Sequence, residues 1–269
     1  MSASIPFRNR RFGLTAADIA TCAAADPIAH AFYAGLSTTF PDGERFFVQS
    51  VKAHEAFVGP NLADDVAAFV RQEGAHAREH RAMNDQLGAH GYAMDKIVAR
   101  AQRQLAAVAA RAPIQRLATT IALEHFTAVF ARQLLADPRH LAFCDDKTRA
   151  LWQWHSVEEI EHKSVAFDVF LSATQHMSGL GRWLLRAAAM TDAIVRLVGV
   201  IIANIADMLA ADGKADALWP ARFVWFVFFK PGIVGQMSLA IAAYYRAGFH
   251  PAEADDGGLV RSYAATVSG

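Results

Sequence analysis

Ten consecutive residues, Trp154 to Lys163 (WHSVEEIEHK), hold two histidines and three glutamates, yet their flanks (Leu151, Trp152, Val165, Ala166, Phe167) are apolar. On a helix, residues three and four apart share a face. His155, Glu159 and His162 stand at i, i+4 and i+7 and so form one stripe, while Glu158, Glu161 and Lys163 point away from it, toward solvent or ion-pair partners. Upstream, RQEGAHAREH sets Glu73 and His76 at i, i+3, with His80 a turn further on and Glu79 facing away. Glu124 in ALEHFTA and Glu44 in PDGERFF are carboxylates beside apolar neighbours. Carboxylate oxygen and imidazole nitrogen are ligands for first-row divalent metals. Four carboxylates neutralise two dications and can bridge them, and each ion then takes an imidazole.

In chain order the pattern is Glu44, Glu73-x-x-His76, Glu124, Glu159-x-x-His162, with His155 one turn ahead of the last motif. That is the ligand order of ferritin-like di-iron or di-manganese carboxylate bundles, in which two helices give one Glu each and two give Glu-x-x-His. Glu55 competes with Glu44 for the first position. His155 is a ligand or supports one; His80 and His125 are partners rather than ligands, and Asp168 is placed to orient a ligand histidine.

These residues require four helices meeting at one level. Strand signals are scarce, and Gly and Pro fall where helices should stop and start. The spacing predicts helices over 26–39, 42–58, 62–89, 93–111, 113–136 and 146–176, then two or three apolar helices in 182–247. Breaks are expected at 40–43, at Gly59-Pro60, with Asn61 as a cap, and at Asp137-Pro138. Measured from their hairpin turns, Glu44 and Glu73/His76 lie at matching depths of roughly 20 Å, and so do Glu124 and Glu159. Residues 90–112 are long enough for the single crossover such a bundle needs. The expected fold is all-α: a ferritin-like four-helix bundle over 26–178, an apolar helical extension over 179–250 packed on it, a disordered start over 1–25 and a loose tail over 251–269.

Composition excludes several classes. With 26 basic and 26 acidic residues there is no basic footprint for nucleic acid. Two cysteines, Cys22 and Cys144, imply neither a disulfide framework nor a thiolate zinc site. Arg8, Arg10 and Arg11 are followed by no clean apolar run, so no signal peptide is expected and the location reads as cytoplasmic, with membrane association allowed. Residues 193–206 and 223–229 are strongly apolar but shorter than the roughly 20 residues that cross a bilayer. They are expected to be core, substrate pocket or peripheral membrane contact.

The segments PDGERFF, QEGAHAREH, ALEHFTA, WHSVEEIEHKSVAFDVF, FKPG and YYRAGFHP resemble a bacterial family described as predicted metal-dependent hydrolases, over about 25–250. His155-x-x-x-Glu159-x-x-His162 is similar to the seven-ligand site of di-iron aryl-amine N-oxygenases. That resemblance implies Glu44, Glu73, His76, Glu124, His155, Glu159 and His162 as ligands of two iron ions, with manganese or zinc as substitutes. The expected function is a non-haem di-iron oxygenase or oxidase. Its expected partners are O2, an apolar organic substrate and an electron donor such as a ferredoxin or flavin reductase. A homodimer is allowed. The alternatives are a two-metal hydrolase, as the family description suggests, and a non-enzymatic iron-binding protein.

Overall fold

The structure is a computed structural model and describes residues 5–267. Every regular element among the described residues is helical. Helix α1 (Ala16–Ala25) starts at a capping box in which Thr15 and Asp18 satisfy each other's backbone N–H groups. Asp26 caps α2 (Pro27–Ser37) through the amides of Ile28 and Ala29. Helix α3 (Phe40–Lys52) is followed by α4 (Pro60–His90), which Gly91 ends in a positive-φ conformation open to glycine. Helix α5 (Met94–Ala109) crosses over to α6 (Pro113–Ala136). Asp145 caps α7 (Asp146–His162) through the amides of Lys147 and Thr148, and α8 (Val165–Ala173) continues from α7 after a short break. The last elements are α9 (Gly179–Ala211), α10 (Trp219–Phe228), α11 (Ile233–Ala243) and α12 (Gly257–Val267).

The bundle is two hairpins. Helix α3 packs along α4 and α6 packs along α7; α3 against α6 and α4 against α7 and α8 close the square. Helix α5 is the crossover and lies against α3 and α9. Helix α9 packs on α6 and α2, and α11 on α6. Apolar residues of α9 such as Ile201, Ile205 and Met208 share a buried cluster with Leu36 of α2 and Trp152 of α7, and Met190 and Ala193 share another with Ile121 of α6.

Several expectations change. The break expected at 40–43 falls earlier, at Thr38 and Thr39, because Pro41 is tolerated in the first turn of α3. Gly59 caps α4, with Pro60 opening the helix and Asn61 inside it. The single helix expected over 146–176 is interrupted at Lys163 and Ser164. Expectations for residues 1–4 and 268–269 lie outside the described residues. Of the start expected to be disordered, residues 16–25 are helical, and the preceding stretch is tied down by Arg8, whose guanidinium binds Glu161 through both terminal nitrogens at 2.7 and 2.8 Å. The tail expected to be loose carries α12, packed on α7 and α6, and Asp256 bridges Lys163 at 2.6 Å and Arg132 at 3.2 Å. Composition did not show these because the contacts are polar and distant in sequence.

Candidate metal centre

Glu44 lies one turn into α3, Glu73 and His76 are mid-way along α4, Glu124 is mid-way along α6, and His155, Glu159 and His162 occupy the last turns of α7. The structure brings all seven together. None is more than 3% exposed. Six of them form two groups, Glu44–His76–His155 and Glu73–Glu159–His162, with the ligand atoms of each group within 4.8 Å of one another. Oε1 of Glu159 lies 2.8 Å from His155 Nε2, 3.5 Å from His76 Nδ1 and 3.7 Å from His162 Nε2, so it stands between the groups. Oε1 of Glu73 does the same, 3.0 Å from His162 Nε2 and 3.8 Å from His76 Nδ1. Glu44 approaches His155 at 3.9 Å and Glu124 approaches His162 at 3.5 Å. Glu55 lies in a 3-10 turn beyond α3 and is exposed, so it takes no part.

The outer nitrogen of each imidazole is engaged. His76 Nε2 donates to Glu158 Oε2 at 3.0 Å, and His162 Nδ1 donates to Gln72 Oε1 at 3.0 Å. His155 is fixed by a relay. Ser37 Oγ donates to Asn84 Oδ1 at 3.1 Å, so it accepts from His80 Nδ1 at 2.9 Å. His80 Nε2 is then an acceptor, and His155 Nδ1 donates to it at 2.7 Å. These hydrogen positions are assigned from the network. With an ion bound, His76 Nδ1, His155 Nε2 and His162 Nε2 are the nitrogens that would turn a lone pair inward, the tautomer a metal requires.

Without an ion, burial and the crowded charges compete across the cluster. Burial, reinforced by neighbouring Glu73, raises the Glu44 and Glu124 carboxyls well above the usual carboxylate range. Against the upward pull of its own burial, the His155 and His162 rings around it hold Glu159 well below that range. Burial depresses His155 to about 4. Burial opposes protonation of His76, but Glu158 and Glu159 overcome it and raise the ring to about 10. Both oxygens of Glu44, Glu73 and Glu124, together with His76 Nδ1, Glu159 Oε2 and His162 Nε2, are buried without a hydrogen-bond partner. Buried polar atoms normally find partners. A set of orphans converging on one point, with four carboxylates and three inward lone pairs, is what two divalent cations satisfy.

Around the centre the walls are aromatic. The His76 and His155 rings stack with centroids 4.1 Å apart; Phe40 lies 4.9 Å from His155, Trp154 4.9 Å from His76 and Phe69 5.0 Å from His162. Two sequence expectations change here. Glu158 does not reach solvent; it is fully buried, holds His76 and accepts from the Arg8 amide at 3.2 Å. Asp168 orients no ligand and instead pairs with His250 at 2.9 Å. His125 Nε2 donates to the Ala240 carbonyl, 3.1 Å away, on the side covered by α11. Gln72 and Glu158 were not visible as supports, because each meets its histidine across the bundle and no spacing within one helix signals that.

A cavity of about 80 Å³ lies between α3, α5, α6 and α9; none of the seven candidate ligands lines it, and its nearest tie to the centre is Phe40, whose ring also faces His155. Helix α9 contributes Ala193, Leu197 and Val200 to it; no residue of 219–229 does, so that half of the expected pocket is absent from the lining.

Fold and site together define an all-α helix bundle with a buried carboxylate–histidine centre built for metal. The chain belongs to the family described as "Predicted metal-dependent hydrolase", which it matches over residues 6–255. No curated protein matches the chain. No solved structure matches it either. The family description agrees with the hydrolase alternative expected from the sequence and lends nothing to oxygen chemistry.

Proposed function

We propose that the chain is a two-metal enzyme, that its two ions are iron, and that it uses O2 to oxidise an apolar organic substrate. Glu73 and Glu159, which stand near histidines of both groups, would be shared by the two ions, Glu44 with His76 and His155 would hold one, and Glu124 with His162 would hold the other. When bound, two ferrous ions supply two electrons to O2, chemistry that no side chain of this protein can provide. In an oxygenation, one oxygen atom enters a C–H bond of the substrate and the other leaves as water. An external reductant, a ferredoxin or flavin reductase, returns two electrons, and solvent gives two protons.

The observation that supports oxidation is the character of the wall beside Glu44 and Glu124. The cavity there is lined by Leu36, Phe40, Phe47, Leu105 and Leu123. Its three threonines are turned to backbone carbonyls, Thr39 Oγ1 to Leu36 O at 2.7 Å, and Thr119 Oγ1 to Gln115 O and Thr127 Oγ1 to Glu124 O, both at 3.1 Å. Such a wall positions hydrocarbon and excludes water, which suits C–H oxidation. Apart from Arg196 and Gln104, which bond each other at 2.7 Å, it holds no side chain that would orient a water or a polar ester or amide.

Hydrolysis is the second reading, favoured by the family description. Two ions would then lower the pKa of a bound water. One experiment separates the two. Protein loaded with iron and reduced without air is exposed to O2 in an oxygen electrode, and the zinc or manganese form is assayed anaerobically on ester and amide panels. Rapid O2 uptake with negligible hydrolysis is expected. Robust anaerobic hydrolysis that Glu159→Ala abolishes would overturn the oxidative reading.

The exposed apolar faces of α9 to α11 support contact with a lipid surface as a further part of this proposal. Trp225 is 58% exposed, Phe229 64% and Leu239 84%. Helix α9 is long and apolar enough to cross a membrane, with 39% of its most apolar window buried in the protein.

A further inference from the structure

The surface above His76 carries arginine in excess, although the chain as a whole has 26 basic and 26 acidic residues. We propose that this surface, formed by the segment before α1 and the outward face of α4, docks an acidic one-electron carrier protein that reduces the centre. This rests on the reading of the centre as a two-iron site that takes electrons from outside.

The place follows from a run of rings. Trp154 lies 4.9 Å from His76 and 5.4 Å from Phe12, centroid to centroid. Trp154 is fully buried, Phe12 is half-buried, and the Arg10 guanidinium lies over the Phe12 ring at 5.6 Å. Two rings thus lead from a ligand histidine to the surface. The rings beside the other two ligand histidines are all buried: Phe40, His80 and Trp152 at His155, and Phe69 at His162. Electron transfer weakens steeply with distance, which favours a carrier seated at Phe12. Hydrogen bonding does not explain an indole at 154, because Trp154 Nε1 is buried without a partner, a cost that an all-carbon ring would avoid.

The partner follows from charge. Arg71, Arg78 and Arg81 stand on the outward face of α4, spread over about 15 Å of helix. Arg71 and Arg81 are exposed and pair with no carboxylate among the described residues. Arg78 donates to the Arg10 carbonyl at 2.8 Å and shares Glu79 with Arg11, which is 61% exposed. Glu79 is nearly buried, and Asp64 and Asp85 stand beyond the two ends of the row. Positive charge therefore dominates this surface, and complementary charge steers an encounter and fixes its orientation. Electron-transfer encounters are weak and bury little area, so a patch of this extent suffices. Two reduced carriers would dock in turn. Each gives one electron and leaves oxidised, which restores the two electrons that one turnover consumes, and no bond forms or breaks in the step.

The test is binding, measured by calorimetry at low salt on the zinc-loaded protein, with an oxidised acidic [2Fe–2S] ferredoxin, a basic cytochrome c and anionic lipid vesicles as probes. Ferredoxin should bind at least about tenfold more tightly than cytochrome c. Arg71→Glu with Arg81→Glu should weaken ferredoxin about tenfold or more and leave vesicle binding unchanged. A charge-matched pair elsewhere, Arg103→Glu with Lys214→Glu, should leave ferredoxin binding as it is. Equal binding of the two carriers, equal loss in both pairs, or loss of vesicle binding in place of ferredoxin binding overturns the docking site. In stopped flow with reduced ferredoxin and the iron form, Trp154→Leu should slow electron entry at unchanged binding, and Trp154→Phe should restore part of the rate. Phe12→Leu stands in if Trp154→Leu melts early, and unchanged rates overturn the route through the rings. Zinc takes up no electrons, so the two readings fail separately. Ferredoxin binding without O2 uptake by the iron form would refute the oxidative reading alone, and O2 uptake by chemically reduced protein that binds no ferredoxin would refute this assignment alone.

Discussion

His155 sits on the ligand stripe of α7 but differs from His76 and His162 in what stands behind it. His76 is backed by Glu158 and His162 by Gln72, whereas His155 is backed by a neutral relay through His80 and Ser37 to Asn84. A carboxylate behind an imidazole raises its basicity, and a neutral acceptor does so less. His155 and His162, both backed by neutral groups, are therefore weaker donors than His76. The replacement His155→Ala should leave two metals bound and alter the optical spectrum of the iron form. Glu159→Ala should lose at least one ion per chain, because Glu159 Oε1 stands near all three histidines. Elemental analysis beside the spectrum checks both, and two ions retained in Glu159→Ala would rule out its bridging role.

A second histidine makes a prediction away from the metals. His30 is buried with Nε2 unpartnered, and burial, with His90 nearby, lowers it to about 4. The folded state thus binds this proton less readily than the unfolded chain, whose ring titrates near 6.5. The stability contribution is full above pH 6.5 and is lost as pH falls from there toward 4, by about 3 kcal/mol at most. Urea titrations across that interval should show His30→Leu with a shallower acid decline than the wild type. Parallel curves would remove His30 as a source of the decline.

At the scale of elements, the ligand helices were legible because each ligand recurs with helical spacing among apolar neighbours, and because Gly and Pro mark the turns. Helix α6 begins at Pro113 and ends at Ala136, where the spacing set it. What escaped was everything held by contacts across the chain. Nothing within 146–176 signals the stop at Lys163; its ammonium bonds Asp256 and the Ala254 carbonyl, ninety residues on. The segment before α1 was equally opaque. Its Pro6 carbonyl accepts from Gln72, its Arg8 binds Glu158 and Glu161, and its Phe12 amide donates to Glu79. These contacts place the segment over the supports of His76 and His162, so it is part of the centre's outer frame. Arg8→Ala should weaken metal retention against a chelator by roughly tenfold, the scale typical of changes behind metal ligands. Metal release at the wild-type rate would make the segment a passive cover.

At the scale of the whole molecule, large apolar side chains crowd the outward faces of α9 and of the bent pair α10 and α11. Contiguous exposed apolar surface on a monomer commonly marks an interaction site. Trp225 and Phe229 stack at 5.0 Å on α10, close to Lys230, a pairing of aromatic and cation suited to the boundary between water and lipid. Anionic vesicles should co-sediment the protein and blue-shift its tryptophan emission, and Trp225→Asp with Phe229→Asp should reduce binding about tenfold or more. Vesicle-independent dimerisation abolished by the same substitutions would assign those faces to a second copy instead.

The stop at Lys163 has an effect reaching back into the centre. An α-helix carries the equivalent of about half a negative charge at its carboxyl end, felt within the last turn. Because α7 ends at His162, Glu159 and His162 occupy that last turn. A helix running unbroken to 176 would have moved this negative pole about 20 Å further along. The interruption instead keeps that negative pole in the turn that carries Glu159 and His162, where it favours a cation. That contribution to cation affinity survives replacement of any single ligand side chain.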